Sequence, residues 1–173
     1  VVGEGTKIMA NLKKDAEVKL LGPLGRGFDL DRARGKKVAI LAGGIGIAPL
    51  LYLAKNLDTK ADFYAGFTDQ AYFIDDFKEY VKDIVTTVYK EDGKFITDVI
   101  NPDAYDIIYA CGPNPMLEAL AKKNKKAEIQ VSMEAHMACG IGACLGCTTS
   151  STDGKFLRVC KQGPVFDSRE VFK

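Results

Sequence analysis

Residues 36–57 read KKVAILAGGIGIAPLLYLAKNL, and the change of pattern inside this stretch decides the fold class. The apolar run from Val38 suits a buried strand, the glycines at 43, 44 and 46 make a tight turn, and the chain then passes into a helical pattern. Strand, turn and helix recur downstream. ADFYAGF (61–67) reads as the second strand. DQAYFIDDFKEYVKD (69–83) carries Phe73, Phe77, Tyr80 and Val81 at helical spacing and predicts a helix. IVTTVYKED (84–92) comes next, followed by a short helix at FITDVIN (95–101), a strand at DIIYACG (106–112), a helix at NPMLEALAKKNK (114–125) and a strand at EIQVSM (128–133). Strands alternating with helices predict an α/β fold with a parallel sheet covered on both faces.

Working outward, VVGEGTKIMANLKKDAEVKLLGPLGRGFDL (1–30) reads as strand, loop and strand without a hydrophobic partner of its own. With Val1 in place of Met, this sets the expectation that the chain begins inside a larger protein. After Met133 the helical periodicity stops, and a Gly- and Cys-rich region with short β pieces runs to the end, so a boundary is expected near residue 131. There is no internal repeat. The 173 residues, 47% hydrophobic and 27% charged, suit one globular domain with a small appendage. With 24 Lys and Arg against 23 Asp and Glu, nothing overall favours nucleic acid or an anionic membrane as partner. No apolar run approaches the roughly 20 residues of a membrane helix, and no signal peptide is recognisable; the chain reads as cytoplasmic.

Four of the five cysteines fall between residues 139 and 160. Four residues separate Cys139 from Cys144, two separate Cys144 from Cys147, and twelve separate Cys147 from Cys160. This is the plant-type C-x4-C-x2-C…C spacing of a [2Fe-2S] cluster. A single loop delivers three thiolates and a distant strand the fourth, while Gly140, Gly142, Ala143 and Gly146 let the backbone approach the sulfides closely. A structural zinc site is the alternative, although zinc ribbons usually show two C-x2-C knuckles. His136 is the only histidine, which excludes a Rieske-type centre with its two imidazole ligands; its ordinary reading is a partly exposed residue close to the cluster. Cys111 ends an apolar strand, where a small buried residue is the default.

Gly43, Gly44 and Gly46 lie where a phosphate could meet free N–H groups and the positive end of the following helix. A plain strand-to-helix turn would look much the same. CGPNPM (111–116) ends a later strand, and ligands of open parallel sheets bind beyond the carboxyl ends of the strands. Both turns are therefore expected on one rim, with Gly43, Gly44, Gly46, Cys111 and Gly112 lining a dinucleotide site. The loop after the second strand carries Thr68, Asp69 and Gln70, with no Lys or Arg before Lys78. Asp69 is thus expected near the adenosine ribose, where it would repel a 2′-phosphate without a compensating cation, favouring NAD over NADP.

GGIGIAP (43–49) followed by CGPNPM resembles the nucleotide domain of the ferredoxin-NADP reductase superfamily. MACGIGACLGC (137–147) with VCKQGPVF (159–166) is similar to the C-terminal cluster domain of one branch, the electron-transfer subunits of class 1B dihydroorotate dehydrogenase. The resemblance covers essentially the whole chain. It implies the C-terminal remnant of an FAD-binding barrel over 1–31, a ferredoxin-reductase-like NAD-binding domain over 32–130 and a [2Fe-2S] domain over 131–173. It also implies that Gly5 and Thr6, within GEGT (3–6), match a loop that contacts FAD. Most of the family's barrel strands and its Arg-x-x-Ser/Thr flavin motif are absent, so the chain by itself is expected to turn NADH over poorly. The implied function is a relay in pyrimidine biosynthesis. Dihydroorotate reduces FMN on a catalytic partner subunit in a heterotetramer, single electrons cross the cluster to FAD, and FAD passes hydride to NAD+. No side chain is singled out as a general acid or base. Two other readings stay open: the small subunit of an NADH-dependent ferredoxin-NADP oxidoreductase or sulfide dehydrogenase, and a non-enzymatic zinc-stapled nucleotide-binding module.

Overall fold

The structure, a computed structural model, describes residue 1 and residues 3–173. The N-terminal segment departs from the expected strand, loop and strand. Helix α1 (Glu4–Ala10) buries none of its residues and is capped by reciprocal hydrogen bonds between Gly3 and Thr6. The chain then runs irregularly to Leu30. A strand needs a partner for its ladder hydrogen bonds, and among the described residues this segment makes one isolated bridge, from Arg26 to Pro164. From Phe28 onward it is anchored. The Phe28 ring meets Tyr109 edge-on, the Tyr109 hydroxyl donates to the Asp29 carbonyl at 2.7 Å, and the Asp29 N–H donates to Gln130 Oε1 at 2.9 Å.

From Val38 the expected alternation holds. Strand β1 (Val38–Gly43) leads into α2 (Ile47–Asn56), and β2 (Ala61–Phe67) is followed by β3 (Val81–Val88) and the short helices α3 (Tyr89–Asp92) and α4 (Ile96–Val99). Next come β4 (Ile107–Cys111), α5 (Asn114–Lys123) and β5 (Glu128–Ser132). The strands lie in the order β3-β2-β1-β4-β5, all parallel. β1 and β4 are buried along their whole length, as strands covered on both faces must be. Alternate residues serve opposite layers. Val38, Ile40 and Ala42 pack with Ile47, Leu50 and Leu53 of α2, whereas Ala39 and Leu41 pack with Leu117 and Leu120 of α5.

The helix expected over 69–83 does not form. A single helical turn at Asp75–Phe77 precedes β3, whose first residue, Val81, pairs with Ala61. Phe73 has a left-handed backbone, with φ of 65°, which a continuous helix cannot accommodate. Phe77 is fully buried and stacked on Phe63, with ring centroids 4.1 Å apart. The helical spacing of the apolar residues here marks separate anchors of a turn and a strand.

The C-terminal region follows β5 with the cysteine loop, a hairpin of β6 (Thr148–Ser150) and β7 (Phe156–Arg158), α6 (Val159–Gln162), β8 (Val165–Asp167) and α7 (Ser168–Val171). β8 returns to the main sheet, antiparallel to β5. Cys147, Val159 and Cys160 belong to the same buried cluster as Leu117 and Leu120 of α5. The expected boundary near residue 131 therefore falls inside a strand that serves both regions. Among the described residues no helix is long and apolar enough to cross a membrane.

Candidate functional site

The glycines after β1 are required by close packing. A Cβ on Gly46 would lie 2.4 Å from the Cys111 carbonyl oxygen and 2.7 Å from the Gly112 nitrogen, and one on Gly43 would lie 2.4 Å from Met116 Sδ. Gly44 has φ of 53°, a conformation that glycine adopts at little cost. The turn after β1 thus nests against the turn after β4, bringing Gly43, Gly44, Gly46, Cys111 and Gly112 together as expected.

A cavity of about 380 Å³ opens beside them at the carboxyl ends of the strands. Gly43 and Gly44 line it, while Gly46, Cys111 and Gly112 form the packing behind its wall. Cys111 is 3% exposed, and burial pushes its thiol up to about 11, opposed by a hydrogen bond with Ser132.

Much of the cavity comes from residues that sequence reasoning missed. Gly66, Phe67 and Thr68 of the β2 end, Thr87 of β3 and Phe95, Ile96 and Thr97 around α4 all line it. Thr87 is 6% exposed, and its Oγ1 has no hydrogen-bond partner among the described residues. A buried unpaired hydroxyl is costly unless something occupies the cavity it borders. Phe95 stacks on Tyr89, with centroids 4.4 Å apart and planes at 18°. Lys123 Nζ donates to the carbonyls of Thr97 at 2.9 Å and Ile100 at 2.8 Å, tying the carbonyl end of α4 to α5. The available signal was the pair Thr86 and Thr87 at the close of an apolar run; the helix expected over 69–83 took in the first residues of their strand, Val81–Asp83.

Asp69 is exposed just beyond Thr68, at the lip of the cavity and outside its lining. The expectation that no cation compensates it is corrected: Lys90 Nζ lies 2.5 Å from Asp69 Oδ1. Sequence distance hid this, because β2 and β3 end side by side, with Phe67 opposite Val88. Gly5 and Thr6 lie on the exposed helix α1 and not in a loop.

The cysteine loop winds through left-handed conformations at Gly140, Gly142 and Leu145, with φ of 70°, 81° and 61°. These turn N–H groups inward toward sulfur. The amides of Cys144, Gly146 and Cys160 donate to the Sγ atoms of Cys139, Cys144 and Cys147, each at 3.4 Å. Backbone N–H groups of Cys144 and Ile141 lower the Cys139 thiol to about 6, and the N–H of Cys160 lowers Cys147; Cys160 is raised by its hydrogen bond with the Cys147 side chain. Among the described residues no three Cys, His, Asp or Glu side chains converge closely enough to cage one ion. Backbone amides instead gather around three of the four sulfurs, those of Cys139, Cys144 and Cys147. Two thiolates for each of two irons is the donor set of a [2Fe-2S] cluster, so the residues present fit that group. His136 is exposed three residues before the loop begins.

Comparison with known proteins bears on both halves of this arrangement. The model of the iron-sulfur cluster binding domain of dihydroorotate dehydrogenase B matches residues 134–172. The electron transfer subunit of dihydroorotate dehydrogenase B (NAD(+)) from Clostridium acetobutylicum is 45% identical, covering 99% of this chain and 71% of the relative. Its counterpart from Clostridium perfringens is 43% identical, covering 98% and 72%. Among solved structures, an NADH-dependent reduced ferredoxin-NADP oxidoreductase superposes with a TM-score of 0.79 at 26% identity, covering 99% of this chain and 66% of that one. That likeness carries the ferredoxin-reductase-like α/β fold, with its mostly parallel sheet, across the described residues. At 45% identity over nearly its whole length, the chain belongs to the family of electron transfer subunits of dihydroorotate dehydrogenase B (NAD(+)).

Proposed function

We propose that this chain is the oxidoreductase subunit that links a dihydroorotate-oxidising FMN flavoprotein to NAD+ in pyrimidine biosynthesis. Cys139, Cys144, Cys147 and Cys160 would hold a [2Fe-2S] cluster, and the cavity at the strand ends would hold NAD. When bound, the cluster supplies one-electron transfer, and FAD supplies the exchange between single electrons and hydride. The chain's own residues do the binding and orienting. Amides of the cysteine loop point at sulfur, which offsets negative charge there. Gly43 and Gly44, before the N-terminus of α2, offer N–H groups to a pyrophosphate. The flat Tyr89–Phe95 pair offers a stacking surface to the adenine, and Thr87 Oγ1 a hydrogen bond. We read residues 1–31 as the end of an FAD-binding barrel, 32–130 as the NAD domain and 131–173 as the cluster domain, with β5 shared between the last two. Leu20 and Leu21, 90% and 69% exposed, support the barrel reading because such apolar surface calls for cover. The working assembly is a cytoplasmic heterotetramer with the catalytic subunit.

The observation that carries the proposal is the cysteine loop whose backbone amides converge on the sulfurs of Cys139, Cys144 and Cys147. Anaerobically purified protein, coexpressed with an FMN-containing dihydroorotate dehydrogenase, should be red-brown and contain two irons and two sulfides per chain. The complex should reduce NAD+ with dihydroorotate. A colourless protein loaded with zinc would overturn the cluster. The likeness to the NADH-dependent ferredoxin-NADP oxidoreductase favours a second reading, which reduction of NADP by ferredoxin without any dihydroorotate activity would support.

A further inference from the structure

Opposite charges meet at the lip of the cavity, where the residues of β2 and β3 run out. Asp69 Oδ1 and Lys90 Nζ lie 2.5 Å apart on exposed side chains. Their turns are joined by the backbone, since the Lys90 N–H donates to the Thr68 carbonyl at 3.1 Å. Thr68, beside Asp69, and Phe95, in the loop after Lys90, both line the cavity. The pair is therefore fixed relative to the cavity by strand pairing as well as by its own attraction.

We infer that Asp69 selects NAD over NADP by occupying Lys90, the cation that would otherwise receive a 2′-phosphate. The inference rests on reading the cavity as the nicotinamide nucleotide site. In folds of this kind the adenosine ribose lies over the end of the second strand, where a carboxylate accepts a hydrogen bond from a free 2′-hydroxyl, or a cation meets a 2′-phosphate. Here both residue types stand at that place, bound to each other. An incoming phosphate must part Lys90 from Asp69 and then face the released carboxylate, so its gain of one ion pair is offset by the loss of another and by repulsion. The 2′-hydroxyl of NAD needs nothing from Lys90 and can donate to Asp69 while the pair stays closed. This differs from direct repulsion by a lone carboxylate, because the discrimination disappears when Lys90 is removed together with Asp69. Lys94, next to Phe95, is the competing cation.

The test is calorimetric titration of NADH and NADPH into the cluster-loaded protein and four variants. In Asp69→Ala the NADPH-to-NADH affinity ratio should rise about fivefold through tighter NADPH binding, the scale of an exposed ion pair. The rise should shrink as salt is added. It should vanish in Asp69→Ala with Lys90→Ala, and persist in Asp69→Ala with Lys94→Ala. A ratio that moves through weaker NADH binding alone would mean that Asp69 acts directly on the ribose, and would overturn the inference. Persistence of the gain without Lys90 would overturn it too. Phe95→Ala separates the inference from its foundation: loss of both nucleotides upholds the cavity as the binding site, whereas unchanged binding of both means the cavity is not that site and removes the inference with it.

Discussion

The backbone of Gly46 rests directly against the Cys111 carbonyl, so that the turn after β1 and the turn after β4 form one unit. The contact is with backbone, which cannot swing aside as a side chain would. Gly46→Ala should therefore force the two turns apart, at a cost of about 1–3 kcal/mol in stability. A thermal melt should register the loss, together with weakened NADH binding. A melting temperature within a degree of the parent would show that the turns have room to spare.

Replacing any one of Cys139, Cys144, Cys147 or Cys160 by Ser should lower iron content, because a hydroxyl is a poorer and harder donor than a thiolate. Cys111→Ser should keep its iron, since Cys111 lies at the end of β4 and outside the cysteine loop. Iron and sulfide assays on the five variants check both statements, and equal iron loss at Cys111 would count against the assignment.

Cys111 should also resist alkylation in the folded protein. Burial holds its thiol up near about 11, so at neutral pH almost none is thiolate, the reactive form. Mass spectrometry after iodoacetamide treatment should find the residue unlabelled at pH 7 and labelled progressively as the pH approaches 11. The folded state holds the proton more tightly than the unfolded chain does. The associated stability is therefore complete below about pH 9, the ordinary thiol value, and is lost as pH rises through about 11.

Lys123 donates to three carbonyls, those of Thr97, Asp98 and Ile100, and so fixes the short helix that walls the cavity. Lys123→Met keeps the stem and removes the charge. It should weaken NADH binding by about tenfold, the scale of one to two charge-assisted hydrogen bonds at a partly exposed site, with iron content unaltered. Parallel titration and iron assay check this, and loss of both together would indicate general unfolding.

The centre of the sheet is legible in the sequence because Val38–Ala42 and Ile107–Cys111 are unbroken apolar runs, and burial on both faces demands that composition. The cysteine loop is legible because C-x4-C-x2-C is a local pattern set by what one loop can reach. The far wall of the cavity is not. Its location depends on β3, and the segment before β3 imitates a helix while Phe73 takes a left-handed conformation that no glycine announces. The Asp69–Lys90 contact depends on the β2–β3 register, a long-range relationship that residue spacing along the chain does not encode. In the first thirty residues the apolar side chains suggest strands, but a strand exists only where another supplies its hydrogen bonds.

β8 is three residues long and begins five residues after Cys160, yet it occupies the sheet margin beside β5. Margins of this kind are where sheets of different molecules join, because a row of unpaired amides and carbonyls is a template for another chain. The cysteine loop is tethered to the sheet on both sides, by β5 before it and β8 after it. Loosening around Cys160 would release β8 and bare the flank of β5. The segment that follows Cys160 thus completes the sheet as well as carrying the fourth thiol.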